Sequence, residues 1–316
     1  MKGVDVPVIA IVGPTCTGKT SLSLQLAQKI GGEIVACDSR TIYRYMDIGT
    51  AKPTSAERSL INHHLLDVLE PKRFFTVAEY KKLGQEVIED IFARGKTPIV
   101  CGGTGLYARA LLEGISIPPV PPQPELRRSF NLLADEKGNA QLYEKLKAVD
   151  PASAERLSVN DRVRIIRALE VTLVAGKPFS TLARRSEPPF QTVWFGLSVG
   201  ERSVHASLIE KRLLDQFSNG LVQEALELLA QPEFEAVLRN AVNYKEFIPY
   251  MEGKEDLATV QAECILHNMQ LARKQMTWFK ANSQITWFQV DEIAQGKILA
   301  TMIEAWKRAS VGNHKR

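Results

Sequence analysis

Apolar and polar positions alternate in blocks along the first third of the chain. Val8-Ile9-Ala10-Ile11-Val12 is an unbroken apolar run, the mark of a strand buried on both faces. Lys19–Ile30 follows with helical periodicity, and Glu33–Cys37 is a second short run of strand character. A loop then passes through Asp47-Ile48-Gly49-Thr50. Between Val77 and Arg94 the apolar positions Val77, Leu83, Val87, Ile88 and Ile91 fall on one helical face. Thr97–Cys101 reads as a further strand, stopped by Gly102-Gly103-Thr104-Gly105. Strands alternating with helices predict a parallel α/β sheet, with the second strand placed beside the first.

The texture then changes. Ile117-Pro118-Pro119-Val120-Pro121-Pro122-Gln123-Pro124 is too rich in proline for a helix or a central strand and predicts a stiff connector. A second break stands at Glu187-Pro188-Pro189-Phe190. Between them the pattern is helical and charged. Asp150-Pro151 reads as N-cap and first residue of one helix. Asn160-Asp161 opens another that runs to about Ala175, with Gly176 as its stop. Beyond the second break come a strand at Val193–Val199, mostly helical sequence and a late strand at Gln284–Val290. The expected organisation is an α/β core of residues 1–117 and 191–316 carrying an inserted all-helical domain, 118–190, on proline hinges. The tail after Lys307 is polar and expected to fray.

Composition narrows the class. The 316 residues are 45% hydrophobic and 24% charged, which is globular and not disordered. A net charge of +4 permits a nucleic-acid partner without requiring one. No apolar run approaches the roughly 20 residues of a membrane helix. Four cysteines lie far apart with no C-x-x-C pair, so reduced thiols and a cytoplasmic setting are expected.

The chemistry begins at Gly13-Pro14-Thr15-Cys16-Thr17-Gly18-Lys19-Thr20, which fits GxxxxGK[ST] between a buried strand and an amphipathic helix. Such a loop curls backbone N–H groups round a phosphate. The helix start and Lys19 add positive charge, and Thr20 offers a hydroxyl to Mg²⁺. The fold expected is therefore a P-loop NTPase-like parallel sheet flanked by helices. A GTPase would need DxxG and NKxD, and a motor ATPase a strand ending in Asp-Glu; neither is found. Asp38, at the carboxyl end of the second strand, is a candidate base or metal contact, since such strand ends face the ligand crevice of parallel sheets. Its structural alternative is the cap of a turn.

These residues, with those that follow, resemble the tRNA dimethylallyltransferases (isopentenyl-diphosphate:tRNA transferases). Besides Gly13–Thr20, the resemblance rests on Asp38-Ser39, Met46-Asp47-Ile48-Gly49-Thr50-Ala51-Lys52-Pro53, His63-His64-Leu65-Leu66-Asp67 and Gly102–Tyr107. It continues in Asp150-Pro151, Arg167-Ala168-Leu169-Glu170-Val171 and Leu271-Ala272-Arg273-Lys274-Gln275-Met276-Thr277-Trp278, in order over nearly the whole chain. The resemblance implies transfer of a dimethylallyl group from dimethylallyl diphosphate to N6 of the adenine adjoining the anticodon, giving N6-isopentenyladenosine. The cradle then holds a prenyl diphosphate with Mg²⁺ at Thr20. By family match Asp38 is the base, and Arg212, on a helix around Ile209–Phe217, is a second cation on the diphosphate. The same match places Asp38, Ser39, Arg40 and Thr41 against the target nucleotide, with Thr104 lining the channel. Arg127, Arg164 and Arg167 become contacts to the tRNA anticodon stem-loop, Tyr244 a stacking ring and Lys245 a phosphate contact. Arg164 and Arg167, three apart on one helix, are expected to project together. A monomer is expected.

The chain departs from the family pattern in places. Leu208 stands where an arginine is usual, Asn243 where glycine is usual, Met269 where a basic residue is frequent, and Thr41 where Gln or Leu is commoner. Cys264 and His267 have C-x-x-H spacing but read as a packed helix face, Trp278 and Trp287 as core residues, and His63-His64 as packing or acid–base groups. Two other readings of the cradle stay open: a small-molecule kinase, and a non-catalytic RNA-binding relative.

Overall fold

The apolar run that opens the chain, Val8–Val12 (β1), is buried at every position and lies inside a six-stranded sheet. The computed structural model describes residues 6–311. The other strands are Gly32–Ala36 (β2), His63–His64 (β3), Thr97–Gly102 (β4), Thr192–Ser198 (β5) and Thr286–Gln289 (β6). They run in the order β3-β2-β4-β1-β5-β6, every pairing parallel. Helices between β1 and the first break are Lys19–Ile30 (α1), Ser55–Leu60 (α2), Val77–Ala93 (α3) and Gly105–Leu112 (α4). Next come Pro124–Lys137 (α5), Asn139–Val149 (α6), Pro151–Ala154 (α7), Arg162–Ala175 (α8) and Phe179–Leu182 (α9). The rest are Arg202–Ser218 (α10), Leu221–Leu229 (α11), Glu235–Leu238 (α12), Phe247–Met251 (α13), Leu257–Lys280 (α14) and Gln295–Val311 (α15).

The strand order corrects one expectation. β2 does not lie beside β1; β4 lies between them. The chain leaves β1, skips one position to lay down β2, and returns later to fill the gap, an order that apolar patterning does not encode. Side chains alternate across each strand, so the sheet feeds two cores. Val8, Ala10 and Val12 join Val35, Val100 and residues of α3, α4 and α11 on one face. Ile9 and Ile11 join Ile34, Ile99, Leu22, Leu26, Ile298 and Met302 on the other, under α1 and α15. The second core carries α15 through to Val311, beyond the fraying expected after Lys307, because Ala305 and Trp306 still pack against it. The final residues, 312–316, lie outside the described ones.

Glu33 ties one edge of the sheet together. It is buried, and it accepts hydrogen bonds from Arg94 Nη1 at 2.6 Å, Lys96 Nζ at 2.6 Å and Asn62 Nδ2 at 3.1 Å, with His64 Nε2 at 2.7 Å. The Arg94 guanidinium, more than any other neighbour, holds its carboxyl far below the usual range. His64 is thus a structural partner of Glu33.

The chain divides into two compact units, one running to Leu112 and resuming at Pro189, the other Glu113–Pro188. The second is a small helical bundle closed over Phe130, Leu142, Leu146, Ile165 and Leu169. Its start signals form as read: Asp150 caps α7 by accepting from Ser153 N at 3.1 Å, Asp161 caps α8, and Gly176 ends it in a left-handed conformation. Among the described residues no helix is long and apolar enough to cross a membrane.

Candidate active site

At the carboxyl end of β1 the chain turns through residues 13–18 into α1. Gly13 has φ 142°, and a Cβ there would lie 2.3 Å from the Leu197 carbonyl oxygen of β5, so only glycine fits. Gly18, the N-cap of α1, is left-handed and supplies no side-chain cap. The first-turn N–H groups of a helix have no intrahelical partners. Here residues 15–21 line a cleft of about 380 Å³. Gly13 and Pro14, expected to touch the ligand, instead lie buried and outside that lining. Their contribution is to the backbone: the Pro14 carbonyl accepts from Thr17 Oγ1 at 2.9 Å and Lys19 Nζ at 2.5 Å. Burial lowers the pKa of the Lys19 amine, and the Arg212 charge pushes the same way, while Cys101 and Asp38 oppose them.

Thr15 is gripped from outside the loop. Its N–H donates to Gln275 Oε1 of α14 at 2.9 Å, its hydroxyl accepts from Arg212 Nη1 of α10, and His205 Nε2 lies 2.9 Å from its carbonyl oxygen. Two cationic side chains, Lys19 and Arg212, therefore stand on one cleft with an uncapped helix start. That is a site for a polyanion.

Asp38 follows β2. Its Oδ1 accepts from Arg40 N at 2.7 Å and Thr41 N at 3.4 Å, so it does cap a turn. Among the described residues no hydrogen bond engages Oδ2. β4 stands between β2 and β1, yet the carboxylate still shares the cleft with Lys19. The reason is Gly102-Gly103 at the end of β4. A Cβ on Gly102 would lie 2.1 Å from the Cys37 carbonyl oxygen, and one on Gly103 2.3 Å from Gln275 Nε2. Without side chains there, Cys37 just after β2 and Gln275 of α14 both approach the end of β4 closely.

A second cavity, of about 330 Å³, is lined by Ser39, Arg40, Thr104, Asn240, Asn243 and Trp278, among others. The two cavities share Thr15, Asp38, Thr50, Gly103, Arg212 and Gln275 as walls. Thr104 shapes the second one: its hydroxyl accepts from Ser39 N at 3.0 Å, and its own N–H donates to the Cys37 carbonyl at 3.1 Å. Arg40 Nη2 donates to the Asn240 carbonyl at 2.5 Å.

Other expected residues stand elsewhere. Thr41 is 8% exposed and lines the cleft of the phosphate loop, not the second cavity, because the Asp38 turn folds it inward. Tyr244 offers no face for stacking: it is 0% exposed, its ring covers Gly49 and its hydroxyl donates to Glu224 Oε1 at 2.7 Å. Lys245 lines neither cavity and has Nζ 3.9 Å from Glu246. In the helical unit, Arg164 and Arg167 diverge. Arg164 turns back to Asp161 at 3.2 Å, whereas Arg167 bonds forward to Glu170 at 2.5 Å. Arg127 donates to the same carboxylate through Nε at 2.7 Å and Nη2 at 2.8 Å. Glu170 is 0% exposed; burial alone would raise its pKa, but hydrogen bonds from Arg127, the Gln123 N–H and Arg167 bring it down to about 2.

Sequence reasoning missed most of the wall that α14 supplies. Asn268, Leu271, Gln275 and Trp278 recur at helical spacing and all line the second cavity. The signal was available: two amides and an indole on one helical stripe, with Asn268 and Gln275 both buried. Trp278, read as core, is half-buried against that cavity. Cys264 and His267 are a packed face, with His267 Nδ1 2.7 Å from Glu246 Oε1.

A parallel sheet with an uncapped, doubly cationic nest at the end of an inner strand defines a P-loop-like α/β protein with a site suited to an anion. Comparison with known proteins narrows this. The profile described as IPP transferase matches residues 41–282, and one described as isopentenyl transferase matches residues 6–71. The chain belongs to the IPP transferase family. It is 40% identical to a tRNA dimethylallyltransferase of Thermomicrobium roseum, over 90% of this chain and 87% of that one. It is 44% identical to a tRNA dimethylallyltransferase of Chloroflexus aggregans, over 86% and 92%. Among solved structures, the full-length tRNA isopentenylpyrophosphate transferase of Bacillus halodurans superposes with a TM-score of 0.72 at 31% identity, over 98% of this chain and 99% of that one.

Proposed function

We propose that this transferase moves a dimethylallyl group from dimethylallyl diphosphate to N6 of the adenine adjoining the anticodon of tRNA. The observation that carries the reading is the position of Asp38, a shared wall of the cationic cleft and of the second cavity. The diphosphate occupies the cleft, and the adenine, turned out of its loop at a cost of a few kcal/mol, enters by the second cavity. The N6 lone pair attacks C1 of the donor. The C1–O bond breaks, its electron pair leaves with diphosphate, and Asp38 takes the N6 proton. Lys19, the loop N–H groups and Arg212 meet the charge gathering on the leaving group. A base in this position contributes roughly 10²–10⁴ in rate.

The Thr20 hydroxyl is a hard oxygen donor on the cleft and suits Mg²⁺, which keeps few protein ligands and completes its shell with phosphate oxygens and water. Bound there, the ion would neutralise part of the diphosphate charge. On the RNA side, Ser39, Arg40 and Thr104 are the contacts to the target nucleotide. The helical unit adds backbone contacts through Arg127, Arg164 and Arg167, and Lys245 is a further phosphate contact.

The test uses radiolabelled dimethylallyl diphosphate, tRNA and Mg²⁺ without ATP, followed by mass spectrometry of the nucleosides. Label in tRNA as N6-isopentenyladenosine supports the proposal. ATP consumption with unmodified tRNA would replace it with a kinase, and RNA binding without transfer with a non-catalytic relative.

A further inference from the structure

Arg212 is fixed at its far side by a chain of buried amides. Its Nη2 donates to Asn268 Oδ1 at 3.0 Å. Asn268 Nδ2 donates to Asn243 Oδ1 at 2.7 Å and to the Cys264 carbonyl at 2.8 Å. Asn243 Nδ2 donates to the Gly49 carbonyl at 2.8 Å. Both asparagines are 2% exposed.

The polarity of this chain is set at its ends. A guanidinium only donates, so Asn268 must turn its oxygen to Arg212 and its amide nitrogen away. A backbone carbonyl only accepts, so Asn243 must turn its nitrogen to Gly49 and its oxygen to Asn268. Neither amide can flip without setting like groups against each other. Unpaired polar groups at that depth are costly. At one end Arg212, a wall of both cavities, reaches Thr15 of the phosphate loop; at the other, Gly49 lines the second cavity only.

We infer that Asn268 and Asn243 are positioning residues that hold the Arg212 guanidinium on the diphosphate by bracing it against the Gly49 turn. The inference rests on the diphosphate reading above. Asn243 acts through Arg212 and does not touch the donor.

Asn243 has φ 72°, a conformation glycine takes without strain, so Asn243→Gly removes the brace and keeps the turn. Asn243→Asp is a second, nearly isosteric variant whose carboxylate cannot donate to the Gly49 carbonyl. The readout is inhibition by inorganic pyrophosphate against dimethylallyl diphosphate in the full-length protein, with binding of an anticodon stem-loop RNA measured alongside. Each Asn243 variant is expected to weaken pyrophosphate about fivefold, the scale of one neutral hydrogen bond, and RNA affinity by less. In an Arg212→Ala background the Asn243 effect is expected to vanish, because the group it positions is gone. Unchanged pyrophosphate inhibition in both Asn243 variants overturns the inference, as does the same fivefold loss without Arg212. Loss of RNA affinity alone also overturns it and makes Asn243 an RNA contact. If Arg212→Ala itself leaves pyrophosphate inhibition unchanged, the diphosphate role of Arg212 fails first.

Discussion

Two turns in this chain differ in what meets their backbone N–H groups: one is filled by a carboxylate of the chain, the other opens a helix with no side-chain cap. At the Asp47-Ile48-Gly49 turn, three successive N–H groups donate to the Glu224 carboxylate at 3.1, 2.8 and 2.9 Å, and Tyr244 adds its hydroxyl. At the phosphate loop, α1 starts with no side-chain cap, and Lys19 and Arg212 line the cleft there. The first turn answers its own donors with a carboxylate from α11 and is a strut. The second leaves its helix start uncapped beside two cationic side chains, which is the arrangement for a bound anion. The strut serves the site: the turn it holds carries Thr50, Ala51 and Pro53 to the wall of the cleft.

Breaking the open nest should have the larger effect on chemistry. Lys19→Ala is expected to lower kcat by roughly 10²–10³, the cost of removing one donor from a developing oxyanion, with the melting temperature nearly kept. Equal loss in both quantities would make Lys19 a structural group. Breaking the filled nest should act on stability first. Glu224→Ala leaves three N–H groups and a phenol without their acceptor and is expected to cost about 3 kcal/mol, read by denaturant unfolding. Glu224→Gln, which keeps an acceptor, should lose less, and Tyr244→Phe, which removes one donor, less again.

Glu170 gives a pH-dependent version of the same contrast. Its folded pKa, about 2, lies below the ordinary glutamate value of 4.5, so the unfolded chain binds the proton more tightly. The stability it contributes is full above about pH 4.5 and is lost as pH falls towards 2. Melting curves of wild type and Glu170→Gln should differ at pH 7 and converge in acid. A difference that persists at the lowest pH would mean packing alone is at stake. Glu33, depressed in the same direction, titrates in both proteins and cancels from the comparison.

What could be read from the sequence was what is contiguous. Residues 13–20 announce the nest because strand, glycines and helix follow one another. Asp38 is marked by standing at a strand end, and the caps at Asp150, Asp161 and Gly176 are local signals. The order of the strands was not legible, since β4 enters between β1 and β2 through contacts far apart in the chain. Nor was the fate of Tyr244. The resemblance offered Tyr244 as a stacking ring, and only the Gly49 turn, nearly two hundred residues away, shows what it covers. The helical stripe Asn268–Trp278 failed for the same reason: its amides meet Thr15, Arg212 and Asn243 across long sequence separations.

The central claim is that Asp38 takes a proton from an amine while its neighbours hold diphosphate. Asp38→Asn tests it most directly, because an asparagine oxygen still accepts from the Arg40 N–H and preserves the turn. The measurement is single-turnover prenyl transfer to an anticodon stem-loop RNA, with pyrophosphate and RNA binding determined on the same protein. The account predicts transfer slowed by about 10² or more with both affinities nearly unchanged. Transfer at the wild-type rate would contradict it.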